Sequence, residues 1–376
     1  MSEYQYYEFQ AVDRPLGEVD RQALRALSTR ARITATSFTN SYEWGNFKGD
    51  PAELMERWFD LHLYLANWGA RRLMIRLPKR LVDQRILEVF LLEVDCAALR
   101  AAGENLILDV ERDEVESDED WDDGSGWLAA LAPLRADVLA GDLRLFYLLW
   151  LTSVEADAFE ADDPEPLPGI GPMTGALEAF VNFFGLDPDL VRAAAERSAD
   201  AGPTSPDAAQ TAIAAMTDRE KTELLMRLFD GDPHVAAGLR VVVRDRLAPG
   251  TDAPPAAVRT AGELRSRARA IRLARGRANS EKAAAERRRQ AEEAEKARRE
   301  RLDAIARRGE SVWREIETEI ARRNAAGYDK AASLLLDLRA FAEDRGTNGD
   351  FARRLRTIRE RHARKGRFIE RLAAMG

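Results

Sequence analysis

The chain owns three imidazoles and one thiol: His62, His234, His362 and Cys96. General bases, nucleophiles and soft metal sites are built from such side chains. No two of the histidines stand at a metal-ligating spacing, and one cysteine makes neither an internal disulfide nor a multi-cysteine metal site. His62 sits beside Trp58 and Tyr64 in a segment that reads as an aromatic helix. His234 follows Pro233 at a helix start, and His362 continues an apolar stripe four residues after Ile358. Each reads as a packed or half-exposed side chain, and Cys96, near Leu91, Leu92 and Ala97, reads as a buried inert thiol. There is no Ser/His/Asp signature and no phosphate-binding glycine loop. No catalytic, cofactor-binding or metal-ligating residue is assigned, and no cofactor is expected. A carboxylate or metal site assembled from distant segments of the N-terminal part stays open as an enzyme reading.

Three further patterns could bind something. Residues 109–123 hold ten carboxylates and one arginine. Asp118, Glu119, Asp120, Asp122 and Asp123 could offer oxygen ligands to a hard cation, but the fixed spacing, central glycine and final Glu of an EF-hand loop are absent. Dense like charge reads instead as a solvated loop or a surface for a basic partner. Pro168-Gly169-Ile170-Gly171-Pro172 has the look of a phosphate-holding hairpin. The acidic, proline-broken residues before it leave no first helix to end there, so a linker is expected. Finally, at 100° per residue, Phe351, Leu355, Ile358 and His362 share one helix face, with Arg353, Arg356, Arg364 and Arg367 opposite. That arginine face could follow a phosphate backbone or an acidic partner, or simply solvate the helix.

The elements that must position these groups follow from apolar spacing and punctuation. Residues 3–12 read as a strand with Tyr7, Phe9 and Ala11 on one face. A helical stretch over 18–30 follows, then a second strand from Ile33 to Trp44. Asp50-Pro51 supplies an N-cap and first-turn proline for a helix striped by Leu54, Trp58, Leu61 and Leu65. Leu73, Ile75 and Leu77 mark a third strand. The end of 82–101 reads as a strand entering a hairpin, with Gly103 left-handed before Leu106, Leu108 and Val110. Helices are expected near 127–139 and 142–156, and Asp187-Pro188 and Asp232-Pro233 start two more. Thr217 with Glu220 spaces a capping box ahead of Leu224, Leu225 and Leu228. Residues 201–206 and 249–255 read as loops.

The C-terminal third is different in kind. Residues 261–324 carry one helical pattern, about 95 Å if unbroken, whose only apolar residues between 277 and 301 are alanines. A dimeric coiled coil prefers larger side chains at its seam, so the segment would pair only weakly. Gly276 and Gly309 offer bends, and Ile305, Val312, Ile316 and Ile320 restore a stripe. Beyond them Ala331, Leu334, Leu335, Leu338 and Phe341, a turn at 346–349, and Phe351, Leu355 and Ile358 spell a helical hairpin.

The expected fold class is thus an α+β N-terminal domain with a mixed or mainly antiparallel sheet, then an all-α region, a long charged helix and a C-terminal helical hairpin. The expected divisions are 1–160, 168–258, 259–327 and 328–376, with the acidic, proline-rich 155–172 as the clearest boundary. Charge follows the same line. Residues 259–376 carry 32 Lys+Arg against 19 Asp+Glu, a net of +13, and the other 258 residues carry 25 against 46, a net of −21. The longest uncharged apolar run, 145–154, is short of the roughly 20 residues a membrane helix needs. The start lacks a signal peptide's basic and apolar regions. With one cysteine, the expected setting is cytoplasmic, with no membrane role.

The opening Tyr4-Gln5-Tyr6-Tyr7-Glu8-Phe9-Gln10-Ala11 with Asp13-Arg14-Pro15-Leu16, and Leu65-Ala66-Asn67-Trp68-Gly69 with Arg71-Arg72-Leu73, resemble a group of uncharacterised bacterial proteins. Tyr328, Leu335-Leu336-Asp337-Leu338-Arg339 and His362-Ala363-Arg364-Lys365 are similar to the helical tail of some bacterial SWIM-type zinc-finger proteins. Their Cys-x-Cys…Cys-x-His zinc site cannot be built from one cysteine, so no site residue carries over. The resemblance implies a bacterial origin and a shared tail module, and no activity. The functional expectation is a non-enzymatic interaction or adaptor protein with a protein partner. Nucleic-acid binding through the basic arm is the alternative, and an N-terminal carboxylate or metal enzyme the second.

Overall fold

The computed structural model describes residues 3–115, 122–198, 206–247 and 258–373. The chain divides into two compact units, Met1–Ala274 and Arg275–Gly376. In the first, seven strands form one sheet: β1 (Gln5–Gln10), β2 (Arg32–Ile33), β3 (Ser37–Tyr42), β4 (Leu61–Ala66), β5 (Arg71–Pro78), β6 (Ala97–Ala102) and β7 (Asn105–Arg112). Their order is β2-β3-β1-β4-β5-β7-β6, and every neighbouring pair is antiparallel. The α+β class with a mainly antiparallel sheet is as expected from the sequence.

β4, the strand at the sheet's centre, corrects the sequence reading. Asp50 does cap a helix, accepting from the Ala52 amide at 2.8 Å, but that helix, α2, covers only Pro51–Arg57. Leu61 and Leu65 belong to β4, and so does His62. The stretch Leu61-His62-Leu63-Tyr64-Leu65 alternates, so its leucines fall on one face and His62 and Tyr64 on the other. A helix would have left Leu63 off its stripe. Leu61, Leu63 and Leu65 are each at most 1% exposed, and burying each stabilises the fold by about 1.5–3 kcal/mol. The strand from Ile33 to Trp44 is likewise two. Thr34 and Ser37 close a turn between β2 and β3, with the Thr34 amide donating to the Ser37 carbonyl at 2.9 Å. Gly103 takes the left-handed conformation between β6 and β7, as its position predicts.

Two apolar layers sandwich this sheet. On one face lie α1 (Glu18–Leu27) and α2, packed with Phe9, Phe38, Phe59 and Met74. On the other lie α4 (Trp127–Leu131), α5 (Pro133–Leu139), α6 (Arg144–Glu155), α7 (Gly175–Phe184) and α8 (Pro188–Ala195). α3 (Gln84–Phe90) packs here too, as does the start of α12 (Ala261–Arg308) through Leu264 and Ile271. The helix expected over 127–139 is split by Pro133, which starts α5. One core therefore takes side chains from both sides of the acidic, proline-rich segment 155–172.

Two buried ionic clusters hold these elements together. Asp60, wholly buried, accepts from the Val12 and Asp13 amides at 2.7 and 2.9 Å and from Arg76 at 2.7 Å. Asp13 in turn accepts both guanidinium nitrogens of Arg135, at 2.8 and 2.6 Å. Glu165, also wholly buried at its side chain, accepts from Tyr147 at 2.6 Å and from Arg259 at 2.9 Å. Arg259 continues to the carbonyls of Ala193 and Ala194 at the end of α8.

The remaining helices of this unit are α9 (Pro206–Ala214), α10 (Asp218–Phe229) and α11 (Val235–Leu247). Thr217 and Glu220 form the expected capping box on α10. The leucines after it do not reach the core: Leu225 and Leu228 are 65% and 61% exposed, and Phe229 is 84% exposed. Of the loop expected over 201–206, residues 201–205 lie outside the described residues and Pro206 starts α9, and the loop expected over 249–255 also lies outside them.

In the second unit the long helical pattern ends early. Gly309, at φ +47°, separates α12 from α13 (Glu310–Ala321), while Gly276 lies within continuous helix. α14 (Ala325–Arg345) and α15 (Asn348–Arg361) form the expected hairpin around Gly346, and α16 (Gly366–Ala373) closes on it. Val312, Ile316 and Ile320 of α13 meet Ala331 and Leu335 of α14, all fully buried, with Ile358 and Phe368 from the later helices. The alanine-and-charge middle of α12 is exposed.

Candidate ligand pocket

Most of the side chains singled out in the sequence are satisfied by their neighbours. Cys96 is half-buried, its sulfur 3.2 Å from the Thr152 hydroxyl. His234 is buried with Nε2 2.9 Å from Asp13. That bond and the two from Arg135 hold the Asp13 carboxyl well below the usual carboxylate range, although burial pushes the other way. His362 ends α15 with Nε2 2.6 Å from Glu317. Within the acidic stretch 109–123, residues 109–112 are part of β7, where Asp109 pairs with Arg72. Asp122 and Asp123 accept from Trp127 and Ser125 in a local turn. Asp118, Glu119 and Asp120 lie outside the described residues. The Ile170 and Gly171 amides donate to the carbonyls of Ala194 and Arg197, so these two amides are committed to α8 and the chain just after it.

The arginine face is not one face. The helix wheel over 351–367 assumed a single helix, but α15 stops at Arg361 and the chain turns before α16. Arg353 and Arg356 lie on α15, Arg364 in the turn and Arg367 on α16. Arg353 pairs with Asp350, and Arg356, Arg364 and Arg367 make no ion pair among the described residues.

One side chain stands apart. His62 is completely buried, with its ring stacked on Phe9 at 3.9 Å between centroids and 16° between planes. Its Nδ1 lies 3.0 Å from the Glu8 backbone carbonyl across the β1–β4 pair. A carbonyl only accepts, so Nδ1 carries the proton and Nε2 is left with a bare lone pair. That Nε2 is buried and has no hydrogen-bond partner among the described residues. Burial, reinforced by the Arg72 charge and opposed by the Glu8 bond, lowers the imidazole pKa to about 3. The ring is neutral at ordinary pH.

His62 lines a cavity of about 220 Å³ with Tyr7, Tyr64, Phe47, Arg72 and Glu111. The aromatic walls pack on one another: Tyr7 lies 4.7 Å from Tyr64 and 5.1 Å from Phe47, centroid to centroid. β1, β4, β5 and β7 each supply part of the lining, and their register brings the parts together. Tyr7 is directly opposite Tyr64, Tyr64 opposite Arg72, and Arg72 opposite Glu111. Four residues distant in sequence form one cross-strand row.

Gln5 reaches into this row with its amide oxygen. Its Nε2 lies 3.2 Å from the Gly45 carbonyl, which can only accept. The amide oxygen therefore faces the other way, 2.8 Å from the Tyr7 hydroxyl and 3.3 Å from that of Tyr64. Hydroxyl donation to that oxygen competes with a hydrogen bond between the Tyr7 and Tyr64 hydroxyls themselves. Burial above all pushes both phenols up from their ordinary range. Arg72 is held bidentate by Asp109 at 2.8 and 2.7 Å, with Glu111 at 3.8 Å.

A larger and more open hollow of about 760 Å³ lies between the start of α12 and the end of α8. Its charges answer one another: Arg267 holds Glu196 at 2.6 Å, and Glu263 accepts from the Thr260 amide at 3.0 Å. Among the described residues no group of three or more His, Cys, Asp or Glu converges as a metal site, and no helix is long and apolar enough to cross a membrane. Sequence reasoning missed Tyr7, Tyr64, Arg72 and Glu111 as companions of His62. The alternation over 61–65 was the available signal for His62 and Tyr64, and the strand pairing that adds the others is not written locally. Comparison with known protein families, with curated proteins and with solved structures gives no match for this chain.

Proposed function

We propose that the protein is a non-enzymatic binding protein whose first unit receives a small ligand in the His62 cavity. This keeps it in the interaction or adaptor class expected from the sequence and adds a small molecule to the expected partners. The observation that carries the reading is the cavity of about 220 Å³ that Tyr7, Phe47, Tyr64, Arg72 and Glu111 line together with the fully buried His62.

Recognition fits the site better than catalysis does. General acid–base work favours groups that titrate near the working pH. Here the imidazole is held near 3 and the phenols are pushed above their ordinary range.

The test is a fragment screen on the full chain with ¹⁵N-labelled histidine. Only three imidazoles contribute, and the His62→Asn variant assigns one of them. The expected result is a saturable shift of the His62 side-chain resonances by some fragments, which are recovered unchanged. A screen that leaves these resonances still removes the reading, and conversion of a bound fragment transfers the site to the enzyme class.

The nucleic-acid alternative keeps one supporting observation: Arg356, Arg364 and Arg367 make no ion pair among the described residues. Against it, Arg354, Arg361 and Arg371 are committed to Glu310, Glu317 and Asp329 within the same unit. A gel-shift series against salt decides, because phosphate contacts lose affinity steeply with ionic strength. Absence of a shifted band at low salt ends that alternative.

A further inference from the structure

We propose that the outward face of α10 docks a basic amphipathic helix of a partner protein, whose apolar stripe lies on Leu225, Leu228 and Phe229 and whose cations meet the acids around them. This surface is separate from the His62 cavity and does not depend on that site being occupied.

α10 is a helix turned inside out. A surface helix ordinarily gives its apolar side to the core and its charges to water. Here the charged side faces the protein. Glu220 holds Arg246 of α11 at 2.6 Å, and Arg227 holds Asp232 at 2.9 Å while lying against Gly238 of α11. At 100° per residue, Leu224, Leu228, Leu225, Phe229 and Met226 follow one another around the other side. No residue of the helix is buried, and Leu225, Met226, Leu228 and Phe229 are 65%, 51%, 61% and 84% exposed. Apolar side chains scattered singly over a surface are ordinary, whereas a contiguous group of them marks a place that meets another molecule.

Charge selects the occupant. Asp218 and Glu223 of α10 and Asp230 just beyond it are exposed and enter no ion pair among the described residues. Against them stands Arg219, the one exposed cation of the helix. A second copy would set these acids against themselves, and the 258 residues before the basic arm carry a net of −21. An anionic lipid surface is repelled in the same way, because helices that lie on membranes carry lysine and arginine on their polar flank. A helix with a leucine stripe between basic residues meets both the apolar face and the acids. Two helices pack by interlocking their side-chain ridges, which an uncovered helix face offers.

The experiment adds a synthetic amphipathic helix of leucine and lysine to the full-length chain, with its glutamate-for-lysine counterpart as the control. Fluorescence anisotropy is expected to show saturable binding of the lysine peptide that weakens with salt, and none of the glutamate peptide. Phe229→Ser and Leu225→Ser, each at a side chain already in water, are expected to weaken binding about tenfold at an unchanged urea midpoint. Glu223→Gln combined with Asp230→Asn is expected to flatten the salt dependence. Absence of binding, or equal binding by the wild type and Phe229→Ser, overturns the proposal. A dimer in sedimentation that Phe229→Ser dissociates gives the face to a second copy, and flotation with phosphatidylcholine vesicles that Phe229→Ser abolishes gives it to lipid. Either result overturns the proposal as well.

Discussion

His62 and Phe9 lie face to face across the β1–β4 pair, their centroids 3.9 Å apart and their planes within 16°. A protonated imidazole in that buried stack would be a charge without solvent, which is why burial dominates its lowered pKa. Between an unfolded-state value near 6.5 and a folded-state value of about 3, the unfolded chain binds a proton that the folded chain refuses. Stability is then fully present above about pH 6.5 and lost as pH falls toward 3, by at most about 1.4 kcal/mol per pH unit. Asp13, with its pKa depressed, adds a loss only below about pH 4. Urea unfolding between pH 7 and 5 is expected to show a steeper loss for the wild type than for His62→Phe. Parallel slopes would contradict this account.

Asp60 holds Arg76 at 2.7 Å and lies 3.5 Å from Arg135, with its own side chain wholly buried. Removing it leaves the largely buried Arg76 guanidinium without a carboxylate and two backbone amides without an acceptor, while Arg135 keeps Asp13. Asp60→Ala is expected to cost about 3–5 kcal/mol in denaturant unfolding. A cost under 1 kcal/mol would mean that the cluster does not hold the sheet to α5.

Gly69 turns the chain between β4 and β5 at φ +97°, and a Cβ there would come within 2.8 Å of the Val115 carbonyl oxygen. Backbone strain and collision act together, so Gly69→Ala should destabilise by more than about 1 kcal/mol. Gly103→Ala, also at positive φ but facing open space, is expected to cost less. Thermal midpoints of the two variants rank them.

Leu335 and Leu336 are neighbours with opposite fates, the first fully buried among α13–α16 and the second 47% exposed. Leu335→Ala should cost the second unit about 2–5 kcal/mol, and Leu336→Ala at most about 0.5 kcal/mol. Far-UV circular dichroism against urea separates them. Equal losses would mean that Leu336 packs as Leu335 does.

The sequence carried the element types wherever one period dominated locally. Tyr7, Phe9 and Ala11 alternate, and all three enter the same apolar layer. Thr217 and Glu220 make their capping box because its geometry needs only four consecutive residues. β4 was misread because Leu54, Trp58, Leu61 and Leu65 happen to fall at helical spacing across a helix that stops at Arg57. The Leu63 alternation was the competing signal. The pocket was hidden for a different reason. Tyr7, Tyr64, Arg72 and Glu111 become neighbours only through the register of four strands, and no local pattern encodes which strand lies beside which. His62 was visible as a residue and invisible as a site, since its solitary lone pair exists only once Glu8 has taken the other nitrogen's proton.

The two margins of the sheet are unequal. β2 ends it on one side after just two residues, and β6, six residues long, ends it on the other. Among the described strands, β6 is therefore the longer margin on which an extra strand could be added, and its exposed positions are Ala98, Arg100 and Ala101. A bulky or charged replacement at Ala98 would make strand addition there harder.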